Sequence, residues 1–227
     1  MPAVTVLKQE QGSKAAGMRY GSAVAGQLRK ALRVLRHPFD VFWEIRYQSR
    51  GAVAASIMLL ALALIVLLLS KLCASYLFGG AVLDDLNPTA FILRYAIPWG
   101  TWVFANYLVG SIMKGQGRLV EVFVGSTYAL MPVILFSLPL ALLSNLLTFS
   151  EGSIYDFAQM AVNGWSLVLL FIMAKEIHNY EIGETVRNIV VSVLLMLAIW
   201  LLCFIFAGLT YQLYDFVAQI YKEVAAR

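Results

Sequence analysis

The chain has 227 residues, of which 61% are apolar and 13% charged, and its formal net charge is +4. Soluble domains hold about 45–50% apolar and about 25% charged residues, so a water-soluble single domain is excluded, and so is overall disorder. Residues 1–50 hold nine Lys/Arg against three Asp/Glu, whereas residues 51–227 hold eight against ten. A basic head on an apolar body predicts an integral membrane protein with its N-terminus in the cytoplasm.

Residues 1–24 are rich in Gly, Ala, Ser and Gln, show no sustained period and are expected to be flexible. The first 50 residues lack the apolar core of a signal peptide, which leaves the first span to direct insertion. Residues 25–50 predict two short interfacial helices. In the first, Leu28, Leu32 and Leu35 recur at helical spacing, with Arg29, Arg33 and Arg36 on the adjacent face. His37-Pro38 ends it, because proline disfavours the α conformation in the residue before it. Phe39, Phe42, Trp43 and Tyr47 then form an aromatic stripe. Trp43 and its neighbours are expected in the headgroup layer of the inner leaflet, with Arg29, Arg33 and Arg36 on anionic lipid. Packing of this region on the protein's own inner loops is the competing expectation.

Charges mark the spans. Twenty uncharged residues separate Arg50 from Lys71, and eleven of them are Leu, Ile or Val; at 1.5 Å each they cover about 30 Å, the hydrocarbon thickness. The second window, Tyr95 to Met113, is aromatic and contains Pro98 and Asn106. The third, Val122 to Ser150, predicts a helix from about Val122 to Leu143 kinked by Pro132 and Pro139, with Asn145 to Ser153 as the turn. A re-entrant hairpin is the alternative there. The fourth, Phe157 to Ala174, holds Gln159, Asn163, Gly164 and Ser166 and is the weakest; without it the count falls to four. The fifth, Asn188 to Tyr214, is strongly apolar and runs into an amphipathic tail over residues 215–227.

The expected fold is therefore all-α: a polytopic bundle of five transmembrane helices over residues 51–214, N-terminus in and C-terminus out. The segments this places inside carry 13 basic residues and those outside carry 4, as the positive-inside rule requires. A bacterial plasma membrane is the expected location. Small residues at four-residue spacing, among them Ala52/Ser56, Thr101/Ala105 and Ser137/Ala141, allow close helix approach.

Candidate chemistry is sparse. Arg94, Lys114, Asp156 and Lys175 stand at span ends, where water is within reach and the cations can snorkel. Asn106 and Asn163 lie deeper and suit interhelical hydrogen bonds or the wall of a small polar cavity. His37 and His178 fall in connections, without a second His or Cys at ligand spacing. HExxH, a P-loop and paired intramembrane aspartates are absent. No catalytic residue, metal, cofactor or nucleic-acid partner is expected, and Cys73 and Cys203 read as small apolar side chains.

The most distinctive stretch is MKGQGRLVEVFVGSTYALMPVILFSLP, residues 113–139. Its glycine-bearing turn (Gly115, Gly117), acidic entry (Glu121) and Tyr-Ala-x-x-Pro (Tyr128, Ala129, Pro132) resemble the Yip-domain family of membrane proteins. HPFDVFWEI upstream is similar to bacterial members, and the likeness covers about residues 35–210. Physically, Gly115 and Gly117 permit a tight reversal. Pro132 frees the carbonyl of Tyr128, which Asn106 or another neighbour is expected to help satisfy. Eukaryotic relatives associate with Rab GTPases through an acidic cytosolic region; here that region is basic and an Asp-Leu-Tyr-Gly-Pro signature is missing, so Rab binding is not implied. The resemblance implies a prokaryotic-type, non-enzymatic scaffold or accessory factor whose partners are the bilayer and another membrane protein complex. A transporter or permease subunit is the alternative.

Overall fold

The computed structural model describes residue 26 and residues 29–47, 52–80 and 87–225; for residues 52, 220 and 222–225 only the backbone is described. The expectations for residues 1–24 and for Leu28 lie outside the described residues. Among those described there are helices and no strand. In chain order these are α1 (Pro38–Tyr47), α2 (Ala52–Cys73), α3 (Pro88–Ile112), α4 (Leu119–Tyr128), α5 (Met131–Leu143), α6 (Gly152–His178) and α7 (Ile182–Ala225), with single 3-10 turns at Tyr76–Phe78, Ser144–Leu146 and Phe149–Glu151.

Residues 29–33 are helical, 34–36 turn, and Pro38 opens α1. Proline suits a first helical position, where its missing N–H would have no partner anyway. The region packs on the bundle with one face and leaves the other exposed. Val34, Val41, Phe42 and Ile45 are buried with the helices of the bundle, whereas Leu32, Phe39, Trp43 and Tyr47 face outward. Phe42 therefore departs from the expected stripe: it is 0% exposed and belongs to the core. Lys30 and Arg33 meet Glu44 at 3.0 and 3.8 Å and tie the preceding helical segment to α1.

Four stretches are long and apolar enough to cross a bilayer: Val53–Cys73, Leu119–Leu146, Phe149–His178 and Ile182–Gln219. The fourth sequence window, expected to be the weakest, is thus among them, inside α6. The helix that falls short is α3, where Arg94, Asn106 and the half-polar rings of Tyr95, Trp99, Trp102 and Tyr107 dilute the apolar content. Its 25 residues still reach from one end of the bundle to the other. Phe91 and Tyr95 share a cavity with Lys71 at the end of α2, and Gly110 contacts His178 at the end of α6.

The third window, expected as one helix kinked at Pro132 and Pro139, is two helices parted just before Pro132, and Pro139 lies inside the second. Helix α4 closes at Tyr128 and α5 opens at Met131, so Pro132 occupies the start of a new helix. The Ala129 N–H still bonds to Gly125 O, as in a regular helix, and the Leu130 N–H turns to Thr127 O, which closes the last turn of α4. Asn106 plays no part there; its bonds go to α6 and α7. Helix α2 packs most extensively along α5, where Ser56, Ser137 and Ala141 are buried at the small-residue spacings.

The connections gather at two ends. Arg46 of α1 donates to Gln116 in the α3–α4 turn, and Lys175 lies 5.7 Å over the Phe39 ring. At the opposite end the Ser75 N–H donates to Ser144 Oγ at 2.8 Å, and Asn145 Nδ2 to Cys73 O at 2.7 Å. Helix α7 is unbroken past Tyr214, so the expected boundary of the C-terminal tail is not a helix end. From Leu201 to Val217 it is exposed throughout.

Candidate functional site

At the α1 end of the bundle three fully buried polar side chains meet, one from each of α3, α6 and α7. His178 Nε2 lies 3.1 Å from Asn106 Oδ1, and Asn106 Nδ2 donates to Asn188 Oδ1 at 2.8 Å. With the Asn106 amide nitrogen committed to Asn188, its oxygen accepts; His178 Nε2 therefore carries the hydrogen and Nδ1 is left as an acceptor. His178 Nδ1 and Asn188 Nδ2 have no hydrogen-bond partner.

The backbone holds this histidine in place. Asn179 adopts the left-handed conformation at φ 57°, and the Tyr180 N–H returns to Lys175 O at 3.0 Å, ending α6 as helices commonly end. The reversal stacks the Tyr180 ring on His178, 5.3 Å between centroids and 20° between planes. Tyr180 OH donates to Gly110 O at 3.2 Å, and the Gln116 N–H to His178 O at 3.3 Å, joining the two turns. Burial, and next the carboxylate of Glu184, push the Tyr180 phenol above its ordinary pKa.

Three glycines enclose the imidazole. A Cβ at Gly110 would sit 2.2 Å from His178 Cε1, one at Gly115 2.6 Å from Nδ1 and 2.5 Å from Tyr180 OH, and one at Gly117 2.9 Å from Nδ1. This corrects the reason expected for Gly115 and Gly117. Neither has a positive φ; the left-handed residue of the α3–α4 turn is Lys114, at 60°. The glycines are required for space, not for the reversal. Gly125 makes a similar close approach one helix on, where a Cβ would come within 2.5 Å of Ile177 and 2.6 Å of Met173.

The other motif residues support the same turn. Glu121 is 5% exposed and accepts the Arg118 N–H at 2.9 Å, capping the start of α4. Tyr128 is fully buried at the end of α4 and Pro132 is buried at the start of α5. Arg29, Arg33, Arg36 and Trp43 are exposed, near but separate from this junction. His178 and Asn188 were not singled out as partners from sequence; the available signal was a histidine and two asparagines near the predicted helix ends. Among the described residues no three His, Cys, Asp or Glu side chains are grouped to hold a metal ion. What the arrangement does chemically is clamp three helices through one hydrogen-bonded chain.

Apolar helices long enough to cross a bilayer, with their polar groups turned inward or placed at the ends, define an integral multi-pass membrane protein. The family model described as the Yip1 domain matches residues 32–216, and the chain belongs to that family. No curated protein and no solved structure matches it.

Proposed function

We propose that this Yip-type membrane protein is a non-enzymatic scaffold or accessory subunit for another membrane assembly in a bacterial plasma membrane. In this reading α3 is the fifth span, the N-terminus and α1 lie inside, and the C-terminus lies outside. The length of α3, about 37 Å at 1.5 Å per residue, suits a crossing supported by its neighbours, and the positive-inside bias favours this orientation.

The observation that carries the reading is the division of α7. Its first half supplies Asn188 to the buried junction and Trp200, whose Nε1 donates to Thr101 Oγ1 on α3 at 3.2 Å. From Leu201 to Val217 its side chains are exposed throughout among the described residues, yet it remains helical. A helix anchored along half its length presents the other half to whatever shares the bilayer. The hydrogen-bonded polar groups join one another at a helix junction, which favours a scaffold over a permease.

The test is purification of the tagged full chain from its native membranes in gentle detergent, beside a Leu201→Ala/Phe204→Ala variant. A membrane protein recovered with the native chain and lost with the variant is expected. Recovery of the same proteins with both would contradict the reading. Substrate flux through the purified chain alone in liposomes would favour the permease instead.

A further inference from the structure

The polar residues that dilute the apolar character of α6 lie on one face. Asp156, Gln159 and Asn163 stand at i, i+3 and i+7, which aligns them along the helix, and all three line a cavity of about 400 Å³. The cavity lies at the end of the bundle away from α1 and from the buried histidine. Its other walls include Lys71 of α2, Tyr95 of α3 and Ser137 of α5. At 1.5 Å per residue, the α6 wall runs from about 6 Å to about 16 Å below the start of that helix, from the headgroup level into the bundle. The volume falls within the range of about 300–1,000 Å³ typical of small-molecule sites.

Among the described residues, several groups facing this space lack partners. Among the described residues lining it, Lys71 and Asp156 are the only charged side chains, and no ion pair joins them. Lys71 donates to the carbonyl of Gly79, presented by a left-handed turn at φ 81°, which leaves further ammonium hydrogens. Among the described residues the Asp156 carboxylate has no ion-pair partner. Ser137 is 3% exposed and its Oγ has no partner, and Ser70 Oγ is equally unpaired. Buried polar groups without partners are costly and point to a ligand or water.

A lone anion here would face the carboxylate of Asp156, and a lone cation the ammonium of Lys71. A molecule carrying both charges satisfies both. Tyr155, with its ring 5.2 Å from that of Phe78, adds an aromatic wall beside Asp156 that also suits an ammonium group.

We propose that this cavity binds a small zwitterion, its ammonium group on Asp156 and its anionic group on Lys71, with Gln159, Asn163 and Ser137 bonding the atoms between. The chemistry is that of a phosphoethanolamine group, carried either as a phospholipid headgroup or as a free molecule.

The experiment is native mass spectrometry of the full chain, delipidated in detergent. It is titrated with phosphatidylethanolamine, phosphatidylglycerol and water-soluble glycerophosphoethanolamine. Retention of an ethanolamine-bearing ligand about tenfold above phosphatidylglycerol is expected, the scale of one charge-assisted hydrogen bond. The lipid alone being retained identifies a headgroup site, and the soluble compound being retained as well identifies a free-molecule site. Asp156→Asn, nearly isosteric, should bring retention down to the phosphatidylglycerol level, and Asn163→Leu should lower it independently. Both variants are checked for unchanged helical circular dichroism and thermal midpoint. Equal retention of the two lipids by the native chain, or preference unaltered in both folded variants, would overturn the proposal.

Discussion

His178 at the end of α6 and Asn106, six residues before the end of α3 and 72 residues away in sequence, meet at 3.1 Å inside a pocket with no room for a methyl group. The contact explains why glycine stands at three nearby positions and why the α3–α4 turn lies against the end of α6. It also ties α7 to both helices through Asn188.

Gly110→Ala should therefore be strongly unfavourable, because its Cβ would overlap the imidazole at 2.2 Å and α3 cannot retreat without losing the Asn188 bond. Overpacking of this kind costs about 1–3 kcal/mol. Gly164→Ala, with nothing within 4 Å of the added carbon, should fall within about 0.5 kcal/mol of the native chain. Thermal unfolding of the two variants in detergent makes the comparison.

Asn106 and Asn188 should behave as a unit. Removing either leaves a buried partner unpaired, at about 1–3 kcal/mol, so Asn106→Ala and Asn188→Ala should each destabilise. The double variant should lose less than the sum, with a coupling near or above the ~0.6 kcal/mol average for interhelical bonds in membranes. A double-mutant cycle on the unfolding midpoint measures it, and simple additivity would argue against the shared junction.

On α1, neighbouring aromatic residues should respond oppositely. Phe42 is 0% exposed and Trp43 is 56% exposed. Phe42→Ala should cost about 3–5 kcal/mol, whereas Trp43→Ala should leave unfolding nearly unchanged and lower fluorescence quenching by brominated anionic lipids. Equal destabilisation by the two would contradict the division of this helix into a core face and a lipid face.

The raised phenol of Tyr180 sets a pH effect whose sign follows from linkage. The unfolded chain releases this proton first, so the stabilising contribution is present below the ordinary phenol value of about 10 and declines as pH rises through it. Tyr180→Phe should remove that part of the decline. Midpoints compared between pH 8 and 11 for the two chains test it, and superimposable pH dependences would refute it.

Much of the bundle was legible in sequence because charge spacing and bilayer thickness set helix lengths directly. The twenty residues between Arg50 and Lys71 became α2, and Pro132 marked the α4–α5 break. Local polarity misled where its orientation mattered. Gln159 and Asn163 helped to make the fourth window look weak, but they share one face with Asp156, and α6 remains apolar enough to cross. The buried junction was not legible, since it depends on the end of α6 folding back beside α3, a long-range pairing that sequence spacing does not encode. Gly115 and Gly117 stood out as a turn signal, yet the space they leave is meaningful only once His178 is seen to fill it.

The central claim is that the exposed half of α7 meets another membrane protein. Its most direct test is a photo-crosslinking residue at Phe204, which is 78% exposed, activated in native membranes. The account predicts a discrete protein adduct at position 204 and none from the same probe placed at the core-facing Leu169. Lipid adducts alone at position 204 would contradict it.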